Sequence, residues 1–382
     1  MKILNYLLIL SIGLFIVSCE EGTDNPDGNE PVILTGEISS PLILEDRFEG
    51  ITLPDYLITG SLVLNAGVTI EPGVNIIMDP EASIRVRIDG FLKAVGLENN
   101  PIVIQGKSNI SGYWDEITFD NSNNNNNIFE RVIISDGGGG TFSSGMIEIK
   151  GSSKVNFTST LIDNSGSYGI YIVNEESSLP NFSGNIISNC INLPIRLYTS
   201  QFHFIDGATQ YLNNGNNNYI EVEGNGLYQD VTWKKLPVAA LLMGPYNNIH
   251  GDLTVEAGSR FVMGADAKLN VESTGSMHLG GTPTQRISFT GDVQSPGYFE
   301  SVTFEDSNNP LNALHYVDIS YGGSGFDVAN LWLSGGSRVE IIGCSFNYSA
   351  GYGVYVSRYS TLIDMGGNTY TGNTSVDTYY QQ

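Results

Sequence analysis

The run VTIEPGVNIIM (68–78), followed by GFLKAVGLENNPIVIQG (90–106), GYWDEITF (112–119) and RVIISDGG (131–138), decides the fold. Apolar residues alternate over a few positions and then stop at Gly, Asn, Ser or Pro, which is the pattern of short strands separated by turns. The same texture continues through MIEIKG, KVNF, GIYI and PIRLY, and no stretch carries a convincing amphipathic helix. Equivalent strands recur 23 residues apart from Ile147 to Ile170, 25 from Ile170 to Ile195 and 23 from Leu331 to Val354. That interval suits one coil of three short strands. A single coil cannot bury its own inward face, so only stacked coils complete the core and the backbone hydrogen bonds. The expectation is an all-β, right-handed parallel β-helix. Asn-rich turns suit it, because asparagine tolerates left-handed backbone angles and can form ladders along the axis. The run NSNNNNN at 121–127 reads instead as a solvated loop leaving the coil.

An internal duplication organises the chain. GYWDEITFDNSN from Gly112 matches GYFESVTFEDSN from Gly297, and RVIISDGGGG from Arg131 matches YVDISYGGSG from Tyr316, both displaced by 185 residues. SYGIYI from Ser167 matches GYGVYV from Gly351, displaced by 184. ITGSLVLNAGVTIEPG from Ile58 is paired with IHGDLTVEAGSRFVMG from Ile249. The halves are placed at 34–215 and 216–382, the second beginning where NNGNNN interrupts the pattern.

The order of these segments resembles the pectin-lyase-like β-helix repeats common in exported bacterial proteins: a strand, an EPG turn, a strand, a small-residue turn, an NPI strand, then a coil with Trp and ITF. The likeness covers most of each half. In the second half EPG is read as Met263-Gly264-Ala265, and Trp114 as Phe299. This resemblance implies architecture rather than activity, since the fold hosts lyases, hydrolases, adhesins and inert stalks.

The first 19 residues, MKILNYLLILSIGLFIVSC, set one lysine before an apolar run that ends in small residues and a cysteine, the layout of an export signal spanning 1–18. The run falls short of the roughly 20 residues needed to span hydrocarbon as a helix. Ile16, Val17, Ser18 and Cys19 resemble the lipobox of bacterial lipoproteins, which implies diacylglycerol on Cys19. Two or more acyl chains anchor durably where one does not. Residues 19–33 are acidic and rich in Gly and Pro, and read as a flexible tether. Cys19-Glu20-Glu21 resembles the acidic export signal of Bacteroidetes lipoproteins, implying an outer-membrane, cell-surface location.

A net charge of −24 and a pI near 4.3 argue against nucleic acid, which demands a basic footprint, and against an anionic leaflet. Beyond Cys19 the chain has Cys190 and Cys344, expected to be buried free thiols. His203, His250, His278 and His315 show no zinc spacing, and no metal or cofactor is expected. Gly137–Gly140 and Gly322, Gly323 and Gly325 precede no helix that could cradle phosphate, so they read as turns.

Alternation in IYI, VYV and LWL turns the flanking aliphatics inward and the central residue outward. Stacked coils convert such residues into columns with neighbours about 4.8 Å apart. One column would hold Trp332 and Tyr355. Its equivalent in the first half would hold Glu148, Tyr171 and Arg196. Aromatics suit the apolar faces of sugar rings, and Glu and Arg suit hydroxyls or a uronate. Asp115 and Glu116 alternate in direction, and the regular coils show no carboxylate pair placed across a scissile bond. The sequence therefore favours a non-catalytic binding or adhesion module with polysaccharide as ligand, over a polysaccharide lyase or glycoside hydrolase, or a structural spacer.

Overall fold

The computed structural model describes residues 30–48, 53–141, 144–326 and 328–382. The export signal, Cys19 and most of the tether lie outside the described residues. What is described is a parallel β-helix of about 14 coils. Strands group into a 20-stranded sheet, a seven-stranded sheet and two six-stranded sheets. The largest sheet bends round a corner because Tyr56–Leu64 pairs with Asn75–Met78 through its first residues and with Ser83–Val86 through its last. The sole helix among the described residues is a 3-10 segment, Thr199–Phe204.

Each coil supplies inward Ile, Leu, Val or Phe side chains that meet their counterparts one coil away. Ile84, Ile117, Ile147, Ile170 and Ile195 form one such file, in the register read from the sequence intervals. Phe129 and Phe157 stack at 5.4 Å, and Phe261 and Phe289 at 4.8 Å. These side chains are fully or almost fully buried, and each contributes roughly 1.5–3 kcal/mol by leaving water. Polar corners are also stacked. Asp136, Asn164, Asn189 and Asn213 occupy left-handed angles, and Asn164 Nδ2 donates to Asp136 Oδ1 at 2.7 Å.

Two details differ from the sequence reading. The run at 121–127 leaves the coil only in part: Asn123, Asn125 and Asn126 are exposed, but Ser122 and Asn127 are buried. Asn127 Nδ2 donates to the Ser122 carbonyl and hydroxyl and to the Lys154 carbonyl, while its Oδ1 accepts the Leu92 amide. The second half repeats the device. Asn312 Nδ2 donates to the Ser307 carbonyl and hydroxyl, and its Oδ1 accepts the Met277 amide.

The pairing of Ile58 with Ile249 is out of step by six residues. Strand Gly67–Ile70 occupies the place of Asp252–Val255, and Asn75–Met78 that of Arg260–Met263, so the displacement of 185 also holds here. The EPG turn at 71–73 is thus retained as Glu256-Ala257-Gly258, not replaced by Met263-Gly264-Ala265. Gly73 and Gly258 both take the left-handed angle that the turn requires, at φ +92° and +81°.

The halves do not stack face on equivalent face. Ile117–Asp120 lies in a rank that continues through Ile195–Tyr198, Ile220–Glu223, Ala240–Met243 and Arg260–Met263 to Ile287–Gly291 and Val317–Ser320. Its duplicate, Ser301–Glu305, lies in the seven-stranded sheet. The duplicated unit therefore holds a whole number of coils plus one face, and every surface feature of the second half is turned one face round from its counterpart.

Candidate functional site

The first-half column runs in register through Arg85, Thr118, Glu148, Tyr171, Arg196, Glu221 and Leu241. Glu148, Tyr171 and Arg196 are thus neighbours as the alternation places them. Their side chains are engaged with one another and with the coil. Glu148 is only 2% exposed; it accepts the Ser144 amide at 2.6 Å and pairs with Lys150 at 2.5 Å. Arg196, with 11% of its side chain exposed, lies 3.3 Å from Glu223 and 3.8 Å from Glu221, and donates to the Ile172 carbonyl. Its guanidinium also sits over the rings of Tyr171 and Tyr198, at 5.0 and 4.7 Å. A cation held by two carboxylates and two rings is a poor receptor for a further anion, because binding one would break contacts already made.

Tyr168 extends this network. Its hydroxyl donates to Glu221 at 2.8 Å, and its ring meets Tyr171 edge-on at 5.3 Å. Burial and the adjoining Glu221 carboxylate hold the Tyr168 hydroxyl well above the usual phenol range. Burial likewise raises the Glu221 carboxyl, against the opposing pull of Tyr168 and Arg196.

The second-half column runs through Asn270, Thr303, Trp332, Tyr355 and Tyr379. Trp332 and Tyr355 are parallel within 3° with centroids 3.9 Å apart, and Tyr379 follows at 5.1 Å. Tyr352 packs beside them, 5.5 Å from Tyr355 and 5.0 Å from Tyr379. At that separation Trp332 and Tyr355 cover each other's faces, so what this part of the ladder gives to solvent is ring edges and polar tips. Such stacking adds about 0.5–1.5 kcal/mol per pair beyond area burial and ties successive coils together.

The Asp115–Glu116 pair, discounted from the sequence because alternation turns the two apart, lies beside Glu148. Burial, the Glu148 carboxylate and Asp115 raise the Glu116 carboxyl, opposed by Lys150 and the Thr118 hydroxyl. Burial and Glu81 raise Asp115. Strand alternation sets Asp115 and Glu116 on opposite sides, yet both approach Gly140, at 3.0 and 3.2 Å from an ideal Cβ built there. They precede the regular strand Ile117–Asp120, where alternation no longer dictates direction. Cys190 and Cys344 are buried free thiols, as expected. Among the described residues, no group of three or more His, Cys, Asp or Glu is arranged to hold a metal ion.

No protein-family model, curated protein or solved structure matches this chain. Its functional reading therefore rests on the geometry of the parallel β-helix and the side chains it aligns.

Proposed function

We propose that this chain is a lipoprotein of Bacteroidetes type, anchored to the outer membrane through Cys19, whose pectin-lyase-like β-helix acts at the cell surface as a non-catalytic binding or adhesion module for polysaccharide. The observation that carries the reading is the partly exposed cluster of Trp332, Tyr352, Tyr355 and Tyr379 on one face of a rigid rod. The cluster presents ring edges for C–H contact and indole and hydroxyl tips for hydrogen bonds, which suits a ligand bearing both C–H groups and hydroxyls. Because the coils fix their spacing, little ordering cost attends binding.

The test is a glycan array on the soluble Cys19-lacking form, followed by assays for new reducing ends and unsaturated products. Binding without product is expected, and Trp332→Ala and Tyr355→Ala should weaken it; unchanged affinity removes the ladder from the account. Cys19→Ser should release the protein from membranes, and retention there would contradict lipidation. One observation favours a hydrolase as the second reading: the raised Glu116 carboxyl beside Asp115 and Glu148 has the character of a general acid. Product formation that disappears in Glu116→Gln would establish it.

A further inference from the structure

Where the first copy hands over to the second, the rod carries an open cleft of about 300 Å³. It is lined by Tyr168, Leu193, Tyr219 and Leu241, with Asn192 and Asp292 supplying polar groups. Leu241 follows Glu221 directly in the polar column. Tyr219 lies beyond the Asn-rich corner at 213–218 and within electrostatic reach of Asp292. The cleft thus joins residues from coils that are well separated in sequence.

One lining residue is fixed in advance. Glu221 anchors the Tyr168 hydroxyl, Tyr171 supports its ring, and Arg196 holds both Glu221 and Tyr171. This gives the column of Glu221, Arg196 and Tyr171 a definite task as positioning residues. The size falls at the lower end of small-ligand sites, which span roughly 300–1,000 Å³, so it suits a single ring-sized unit. The composition is amphipathic: two tyrosines and two leucines for C–H surface, an amide and a carboxylate for hydroxyls. The charge is selective. Asp292 contributes an exposed carboxylate and Arg260, which also reaches Tyr219 electrostatically and donates to the Pro237 carbonyl, balances it locally, while Arg196 is committed to Glu221 and Glu223; with the chain at −24 overall, the cleft offers no surplus of positive charge to an anionic unit.

We infer that the junction cleft is a subsite for one neutral sugar unit of a glycan chain. The inference rests on the polysaccharide reading above and adds both the place and the charge class of the ligand. The experiment is calorimetric titration of the soluble Cys19-lacking chain with neutral oligosaccharides of glucan, mannan, xylan and galactan type, and with an oligogalacturonide. Tyr219→Ala and Asp292→Lys alter the cleft at partly or fully exposed positions, and their thermal midpoints are checked against the parent. The expected result is binding of a neutral oligosaccharide, weakened at least tenfold in each variant, with Tyr168→Phe weakened severalfold through its lost contact to Glu221. Binding that is unchanged in the cleft variants but lost in Trp332→Ala overturns the cleft and leaves the polysaccharide reading standing. Preference for the oligogalacturonide overturns the neutral assignment, and failure of every glycan to bind overturns both proposals.

Discussion

Truncating Asn127 to alanine should destabilise the rod far more than truncating Asn125, two positions away in the same run of asparagines. Asn127 is fully buried, and its amide makes four hydrogen bonds at 2.9–3.2 Å. After truncation the Ser122 carbonyl still accepts the Lys154 amide, so it is not left bare. The Leu92 amide loses its side-chain partner in the buried interior, and the carbonyl of half-buried Lys154 loses one as well. A buried polar group deprived of its partner costs about 1–3 kcal/mol, so the two together give about 3 kcal/mol for Asn127→Ala. Asn125 is exposed, and its replacement should stay within about 0.5 kcal/mol of the parent. Urea unfolding followed by circular dichroism compares the two variants. Hydrogen exchange adds a local reading: at about 1.4 kcal/mol per factor of ten, protection around Leu92 should fall by about a hundredfold. Equal midpoints for the two variants, or unchanged exchange at Leu92, would refute the account of Asn127 as an internal strut. Asn312→Ala supplies a replicate in the other half, expected to behave alike.

Gly137→Ala should destabilise by about 1–3 kcal/mol in urea, because a Cβ there would stand 2.5 Å from Trp114 Cζ2 in a packed interior. Gly322→Ala, facing Phe299 at 2.9 Å, should cost less, and the reverse order would count against the packing argument. Burial pushes the Cys190 thiol up to about 12 and the Cys344 thiol up to about 11, so iodoacetamide should label neither at pH 8 until the chain is unfolded. The folded state keeps these protons after an unfolded thiol, near 9, has released its own. Their stabilisation is therefore present below pH 9 and declines as pH rises from about 9 towards 12, a loss that Cys190→Ala should reduce.

Much of the architecture was legible because strand alternation and coil period are local properties. The intervals Ile147 to Ile170 to Ile195 and Leu331 to Val354 are the actual registers of neighbouring coils. The columns followed from the same rule, although it could not show that Arg196 is already committed to Glu221 and Glu223. Asn127 was hidden because five consecutive asparagines look alike, and only coil closure distinguishes the one turned inward. The six-residue slip at Ile58 arose because strand and turn segments of similar composition can be superposed in more than one way; the hydrogen-bonded ladder admits one. Tyr168, Tyr219, Leu241 and Asp292 could not be grouped beforehand, since they come from separate coils and no single motif contains them. The available signal was NNGNNN, which marked the junction but not the cleft beside it.

The displacement of the second copy by one face bears on how such a rod can engage a polymer. A stiff, straight chain laid lengthwise would follow a single flank, touching the Tyr171–Arg196 stripe or the Trp332–Tyr355 stripe but not both. Duplication therefore confers no simple doubling of grip on one strand. On the polysaccharide reading proposed above, it gives a peg with two differently aimed sides, a form suited to bridging separate strands or to holding one that winds about it.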